Sequence, residues 1–425
     1  MNSDGFFMQY MREILGARFD EFLQAYANKP RHKALRVNTK KIGANEFAKM
    51  FGGELRPNAL CDRSFYCDVK PSFDPLYHAG LYYMQEPSAS GAVAAFAPYI
   101  GKRVLDLCAA PGGKATQAAA YMDGGVIFCN DPEYKRVRAL VENVERLGVS
   151  NAVITCATAG DYRRAGFDGY FDTVIVDAPC SGGGMTRYEE VPYSREIVEG
   201  CAARQRGILD DAAELLCTGG YMLYSTCTFA VEENERNVEY LVSLGFKTVD
   251  IPLKAGEERG IDIPDARRVY PMNFDGEGHF YCVLQKTRDC DCNKNPARKK
   301  QVRVRVGGLE LDAAEIDKRL VLPIDLPETH GLNVVRAGTP IFGDGKDPAH
   351  ALIHALPTDA LIKFGTVELG EAAAEYLRGE ELHMPAPKGM LAATVHGYAL
   401  GLVKSAPSGS GDAALKNKYP KSLRI

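Results

Sequence analysis

Two of the twelve cysteines in this 425-residue chain sit where a thiol could react. Cys180 lies in Asp177-Ala-Pro-Cys-Ser-Gly182 and Cys227 in Ser225-Thr-Cys-Thr228, each among polar turn residues just past an apolar run. The thiolate is the reactive form of cysteine, and nearby donors or positive charge lower its pKa, so both are candidate nucleophiles. Cys108, Cys129, Cys156, Cys201, Cys217 and Cys282 stand in apolar runs or helical patterns and read as small buried hydrophobes.

A cofactor site is written nearby. Asp106-Leu-Cys-Ala-Ala-Pro-Gly-Gly-Lys-Ala-Thr116 follows an apolar run and leads into a helical pattern. Gly112 and Gly113 let backbone approach a ligand closely, and the following helix offers free N–H donors. This is not a P-loop, because Ala115 follows Lys114 and Cys108 stands where its first glycine would be; nor is it G-x-G-x-x-G. Asp131 ends the next apolar run, about 25 residues after Asp106, where an acid binds ribose hydroxyls. With no pyrophosphate cradle, the pattern fits a nucleoside cofactor without phosphates, and S-adenosylmethionine is the expected one. A thiol beside a methyl donor suits carbon 5 of cytosine, a poor nucleophile that becomes enamine-like once a thiolate adds to carbon 6. Asp177 is placed to stabilise the developing charge by a hydrogen bond at a ring nitrogen.

These side chains need a scaffold that brings strand ends together. Arg103-Val-Leu-Asp, Gly125-Val-Ile-Phe-Cys-Asn, Ala152-Val-Ile-Thr, Phe171-Asp-Thr-Val-Ile-Val-Asp177 and Tyr221-Met-Leu-Tyr-Ser-Thr226 read as strands buried on both faces, with His279 to Gln285 closing the sheet. Helical patterns over 133–147, 201–216 and 231–244 alternate with them. The expected class is α/β, a doubly wound sheet whose strand carboxyl ends border the ligand crevice. Cys180 and Cys227 should therefore share that crevice with the cofactor.

Before this core, helical patterns fall over 6–26 and 45–51; after it, 287–300 reads as a polar linker, and the apolar run Leu391 to Val403 belongs to a small mixed α/β or β-barrel unit. A hydrophobic content of 46% with 25% charge fits a globular cytosolic protein, and Met1 to Leu15 lacks a signal-peptide pattern. Cys290 and Cys292 form one pair only, short of the four ligands of a structural zinc, so no metal is expected. The net charge of -4 argues against a simple nucleic-acid coat protein. Basic residues nonetheless gather in three groups: Lys29, Arg31, Lys33, Arg36, Lys40 and Lys41; Arg298, Lys299, Lys300, Arg303 and Arg305; and Lys416, Lys418, Lys421 and Arg424. One such group is commonly a solvated face, whereas three in the flanks suggest a phosphate-binding track.

Taken together, Cys108 to Lys114, Asp177 to Gly182, Ser225 to Thr228, Leu35-Arg-Val-Asn-Thr39, Gly80 to Gln85 and Arg268-Val-Tyr-Pro271 resemble motifs of the Sun (Nop2/Sun) family of RNA cytosine-C5 methyltransferases. Arg336-Ala-Gly, His350-Ala-Leu, Tyr376 to Glu380, Gly397 to Gly401 and Leu415 to Arg424 are similar to the C-terminal PUA-like domain of its bacterial RsmF-type branch, which acts on 16S ribosomal RNA. The resemblance implies a class I, Rossmann-like methyltransferase domain over 76–288. It also implies an N-terminal α+β RNA-binding region over 1–75, a basic linker over 289–305 and a PUA-like domain over 306–425. It makes Cys227 the nucleophile and Cys180 the residue that helps release product. It assigns S-adenosylmethionine to Cys108, Ala109, Ala110, Pro111, Gly112, Gly113, Lys114, Asp131, Asp161 and Asp177. The expected partner is ribosomal RNA, with no membrane and a monomeric enzyme. Transfer RNA as substrate, a DNA methyltransferase using Pro179-Cys180, and a non-catalytic ribosome-assembly factor are the competing readings.

The basic linker carries a first prediction. Neutralising Lys299, Lys300 and Arg303 should weaken RNA binding and flatten its salt dependence, as read from binding isotherms at several salt concentrations, while cofactor affinity holds.

Overall fold

Near-continuous apolar runs cannot leave either face in water, so they pair side by side and take helices on both faces. The computed structural model shows this arrangement and describes residues 3–28, 31–186, 192–290, 301–343, 345–407 and 412–425. Lys29, Arg298, Lys299, Lys300 and Cys292 lie outside the described residues.

The N-terminal unit begins with helices α1 (Ser3–Leu15) and α2 (Phe19–Asn28). Strands β1 (Ala34–Val37), β2 (Arg56–Asn58), β3 (Cys61–Tyr66) and β4 (Tyr82–Gln85) follow, with α3 (Ala44–Met50) and α4 (Pro75–His78) between them. They form one sheet in the order β2-β3-β1-β4. Because β4 pairs with β1 from Ala34↔Gln85 to Val37↔Tyr82, this unit continues past the boundary expected at 75.

After α5 (Ala89–Phe96) comes the alternating core: β5 (Arg103–Asp106), α6 (Gly113–Tyr121), β6 (Val126–Asn130), α7 (Tyr134–Arg146), β7 (Ala152–Thr155), α8 (Ala159–Arg164), β8 (Phe171–Asp177), α9 (Arg195–Leu215), β9 (Leu216–Thr226) and α10 (Glu235–Ser243). Strands β10 (Phe246–Thr248), β11 (Glu257–Arg259), β12 (Arg267–Val269) and β13 (His279–Lys286) complete it. Strands β9, β8, β5, β6 and β7 run parallel, and β13 closes antiparallel to β9, as the sequence suggested. Chain order reverses between β5 and β8, which puts the topological switch beside Asp106 and Asp177.

The C-terminal segment is less separate than a boundary at 306 implies. A three-stranded sheet of β14 (Gln301–Val306), β15 (Leu309–Ile316) and β16 (Arg319–Val321) leads to β17 (Val334–Ala337), which pairs antiparallel with β7 and extends the large sheet. An ion pair from Arg336 of β17 to Glu145 of α7 fastens the join, and Arg336 Nε also donates to Gly338 O at 2.9 Å. Helices α11 (His350–Ala355), α12 (Thr358–Phe364) and α13 (Ala373–Arg378) then accompany β18 (Thr366–Glu368), β19 (Leu382–Met384), β20 (Gly389–Val395), β21 (Tyr398–Pro407) and β22 (Ala413–Asn417), in the sheet order β18-β20-β21-β22-β19. The apolar run from Leu391 is the β20–β21 hairpin, turned at His396 and Gly397, both at positive φ (50° and 78°).

One apolar cluster joins Leu35, Val37 and Phe47 of the N-terminal unit to Tyr376, Leu400 and Val403 of the C-terminal unit, so the two ends of the chain share a core. Among the described residues no helix is long and apolar enough to cross a membrane.

Arg336→Ala should lower the unfolding free energy by about 1–3 kcal/mol, because a half-buried carboxylate loses its charged donor. The check is the thermal midpoint of the full chain; an unchanged midpoint would mean that β17 is held by its backbone pairing alone.

Candidate active site

The reversal between β5 and β8 gathers one set of side chains at the strand carboxyl ends. Asp177 ends β8, and Lys114, in the first turn of α6, places Nζ 2.9 Å from its Oδ2. Ser225 Oγ donates to Asp177 Oδ1 at 2.8 Å. Burial opposes the charge on Asp177, but Lys114 and the Ser225 hydrogen bond more than offset it and hold the carboxyl below its usual range. His279 faces the same pair; burial and Lys114 push it down to about 3, so it is neutral and the lowering rests on Lys114. Asp106 behaves oppositely. It is fully buried, its Oδ2 has no hydrogen-bond partner, and burial with the neighbouring Asp177 pushes it up to about 8. Two carboxyls in one crevice thus sit in different protonation states at neutral pH.

The cofactor loop is fixed from outside. Gly112 caps α6 with φ 115°, a backbone state that favours glycine, and a Cβ there would meet Leu140 Cδ1 at 3.3 Å. Arg136 Nη2 donates to Ala110 O (2.8 Å), Asn143 Nδ2 to Pro111 O (3.0 Å) and Arg36 Nη1 to Gly113 O (2.7 Å). Cys108 N reaches Asp106 Oδ1 at 3.3 Å, and Ala109 N donates to Asn130 O at 2.7 Å. Asp131, buried at the end of β6, accepts from Glu133 N (3.0 Å) and lies 3.0 Å from Arg136 Nη1. The orphaned oxygen of Asp106, the buried acid at 131 and the glycine turn suit a ligand with hydroxyl and ammonium donors, as a nucleoside–amino acid cofactor has.

Asp161 lies in the first turn of α8, just past the carboxyl end of β7. Its Oδ2 accepts from Thr158 N and Thr158 Oγ1, both at 2.7 Å, and its Oδ1 from Arg164, so the carboxylate caps α8.

The two thiols meet. Cys180 Sγ and Cys227 Sγ are 3.1 Å apart, both partly exposed. The loop 180–184 lies against the loop after β9: Gly184 N donates to Cys227 O at 2.9 Å, and a Cβ at Gly184 would sit 2.9 Å from that carbonyl. The hydrogen bond to Cys227, then burial, raise the Cys180 thiol well above its usual range. Of the cysteines read as buried, Cys108, Cys129, Cys201, Cys217 and Cys282 are so, whereas Cys156 is partly exposed where β7 ends, its Sγ 3.5 Å from Pro132 O. Cys290 hydrogen-bonds Thr218, and the described residues hold no group of three ligands placed for a metal.

Three comparisons bear on this geometry. The profile of 16S rRNA methyltransferase RsmB/F matches residues 93–285, that of the N-terminal domain of 16S rRNA methyltransferase RsmF residues 5–87, and that of the RsmF PUA domain residues 366–425. Ribosomal RNA small subunit methyltransferase F of Klebsiella pneumoniae is 31% identical over 98% of this chain and 95% of its own. The chain belongs to this family. The same-named protein of Vibrio vulnificus is 34% identical over 66% of this chain, and the match spans 63% of its length. Among solved structures, a methyltransferase homologue from Pyrococcus horikoshii shares 28% identity, with a TM-score of 0.58 over 65% of this chain and 93% of that one. NSun6 from the same organism, solved with SFG, shares the fold at 21% identity and a TM-score of 0.60, covering 66% of this chain and 98% of its own. S-adenosylmethionine is the methyl donor of the family, and the class I, Rossmann-like sheet with N-terminal and PUA domains is its architecture.

Sequence reasoning missed two buried residues that brace these loops. Arg36, grouped with a phosphate track, is buried at 4% exposure; besides Gly113 O its Nη2 meets Thr116 Oγ1 at 2.8 Å, so it braces the cofactor loop. The Leu35-Arg-Val-Asn motif was the available signal, since an arginine inside an apolar strand needs buried acceptors. Glu233 is fully buried and accepts from Ser181 N at 3.0 Å, next to Cys180. Nothing in the sequence separates it from Glu232. The remaining basic groups are partly answered within the protein: Arg303 lies 3.5 Å from Asp312, Arg305 2.8 Å from Glu310 and Lys418 3.0 Å from Asp347.

Asp106 generates a prediction. With its carboxyl raised from 3.8 to about 8, the native protein holds a proton that unfolding releases. Stability from this group is therefore full at acid pH and declines as pH climbs from about 4 to about 8. Asp106→Asn should remove that decline, so its thermal midpoint gains on the wild type across this window and then runs parallel; a constant offset would refute the protonated state.

Proposed function

We propose that the protein transfers a methyl group from S-adenosylmethionine to carbon 5 of a cytosine in 16S ribosomal RNA through a covalent adduct on Cys227. The observation that carries this reading is the pair of thiols 3.1 Å apart on the loops that follow β8 and β9, whose ends are joined by Asp177 and Ser225 next to Lys114. A single thiol could be incidental; two at the mouth of a methyl-donor crevice suit a reaction in which a sulfur must both attack and leave.

S-adenosylmethionine, when bound, would supply an electrophilic methyl group, its sulfonium sulfur keeping the bonding pair and leaving as the neutral thioether S-adenosylhomocysteine. The loop Cys108 to Lys114 and Asp131 hold it, with Asp177 at the boundary between cofactor and base; Asp161 serves through the helix it caps. The Cys227 thiolate adds to carbon 6, forming an S–C bond and moving electron density to carbon 5, which takes the methyl group. Asp177 was expected to hydrogen-bond a ring nitrogen; held ionised, it has no proton to donate there and accepts from the exocyclic amine of the base instead. Lys114 on the same carboxylate donates toward the negative charge that develops on the ring. The proton on carbon 5 is then lost to a base, its electron pair re-forms the C5–C6 bond, and the S–C bond breaks with its pair returning to Cys227. Cys180, as a hydrogen-bond donor to that departing sulfur, speeds release.

A cytosine inside structured RNA must be turned out of its stack to reach this site, at a cost of a few kcal/mol. Contacts from the N-terminal and PUA domains supply the binding energy that offsets it.

Cys227→Ala should abolish methylation, and Cys180→Ala should leave the protein bound to RNA as a band that survives a denaturing gel. Adduct from the Cys227 variant would reverse the two roles. Bisulfite sequencing of ribosomal and transfer RNA from cells lacking the protein names the substrate, and loss of 5-methylcytosine only from transfer RNA would refute the ribosomal assignment.

A further inference from the structure

The loops that carry the two thiols are tied to one carboxylate. Glu233, on the segment between β9 and α10, accepts from Ser181 N at 3.0 Å and from Ser181 Oγ. Ser181 follows Cys180 directly. Its hydroxyl also lies 2.8 Å from Thr228 Oγ1, the side chain that follows Cys227. Gln205 of α9 completes the bracket: its Nε2 donates to Glu233 Oε2 at 2.8 Å and to Pro179 O, just before Cys180, at 2.9 Å. The residues on both sides of Cys180 and the one after Cys227 thus converge on a fully buried acid.

No lysine or arginine pairs with Glu233 among the described residues, so its donors are neutral. The titratable groups facing it are Cys180, Cys201 of α9, Tyr193 and Tyr224, with Glu232 facing Tyr193. Arg204 faces Cys201 from the same helix. A buried acid held by neutral donors alone costs stability that a fold would shed by substituting a neutral residue. Its placement gains meaning from the neighbouring pair of sulfurs, because negative charge beside one of two touching thiols makes them inequivalent.

We propose that Glu233 is a positioning residue that, through Ser181 and Thr228, holds the two cysteine loops in apposition and keeps the proton on Cys180, leaving Cys227 as the sulfur that attacks. This inference rests on the assignment of Cys227 as nucleophile in the proposed function. It supplies what that assignment lacks, a physical reason why two cysteines in contact have different tasks. Burial raises Glu233 against the pull of its hydrogen bonds, and Glu233 in turn adds to the raising of Cys180.

The test is alkylation of the full-length protein by iodoacetamide near neutral pH, with each cysteine followed by mass spectrometry. Wild type should label Cys227 ahead of Cys180. Glu233→Gln keeps the side-chain volume and removes the charge, and should cut that preference about tenfold, the equivalent of one pKa unit. A folded Gln variant whose preference stays within about twofold of wild type overturns the proposal. If Gln at 233 prevents folding, Ser181→Ala, which cuts the hydroxyl link from Glu233 to Thr228, gives the second measurement. It should lower the Cys227-over-Cys180 labelling preference at least about twofold, and an unchanged preference overturns the proposal. A wild type that labels Cys180 first overturns the nucleophile assignment instead, which separates the two failures.

Discussion

The ion pair between Lys114 and Asp177 is the contact on which the site depends, because it joins the cofactor loop to the strand that leads to the thiols. Lys114 is buried at 7% exposure and Asp177 is less so. A charge removed from water to that extent must be answered, and removing one partner leaves the other costly. The pair therefore fixes the first turn of α6 against the end of β8 and sets the neighbouring charges. Lys114 holds Asp177 ionised, burial with Lys114 keeps His279 neutral, and burial with the neighbouring Asp177 charge keeps the proton on Asp106.

Much of this was legible in the sequence because the signals are local. Strand-like runs ending in Asp106, Asp131 and Asp177 marked the carboxyl ends of the sheet, and the turn residues around Cys180 and Cys227 distinguished these two thiols from the remainder. The catalytic sheet appeared in the order that βαβ connections allow. Arg36 shows where such reading stops. A basic residue in a run with Arg31 and Lys33 looks solvated, and only the pairing of β1 with β3 and β4 turns it inward toward Gly113 O. Glu233 is less legible still, since its meaning lies in partners from two other loops and from α9. The unit boundaries were blurred for a related reason: β4 and β17 each join a sheet whose other strands lie elsewhere in the chain, and hydrophobic pattern does not say with what a strand pairs.

The flanking units are also more closely bound together than the order of the chain suggests. Their shared apolar cluster, with His78 Nδ1 3.1 Å from the Tyr419 hydroxyl, links the N-terminal sheet to the C-terminal one. From the other side α1 and α2 pack Phe7, Tyr10 and Phe22 against Phe229 and Tyr193, close to the Cys227 loop. The flanking units are thereby held in fixed relation to the thiols.

Strand β17 bears on how the chain can be divided. It shields the outer backbone row of β7, which would otherwise present unpaired N–H and C=O groups along a sheet margin. A catalytic fragment cut at the polar linker would carry that margin bare, open to lateral pairing with its own copies. The C-terminal segment therefore covers that margin within the chain, and a truncation that keeps it paired has to end beyond Ala337.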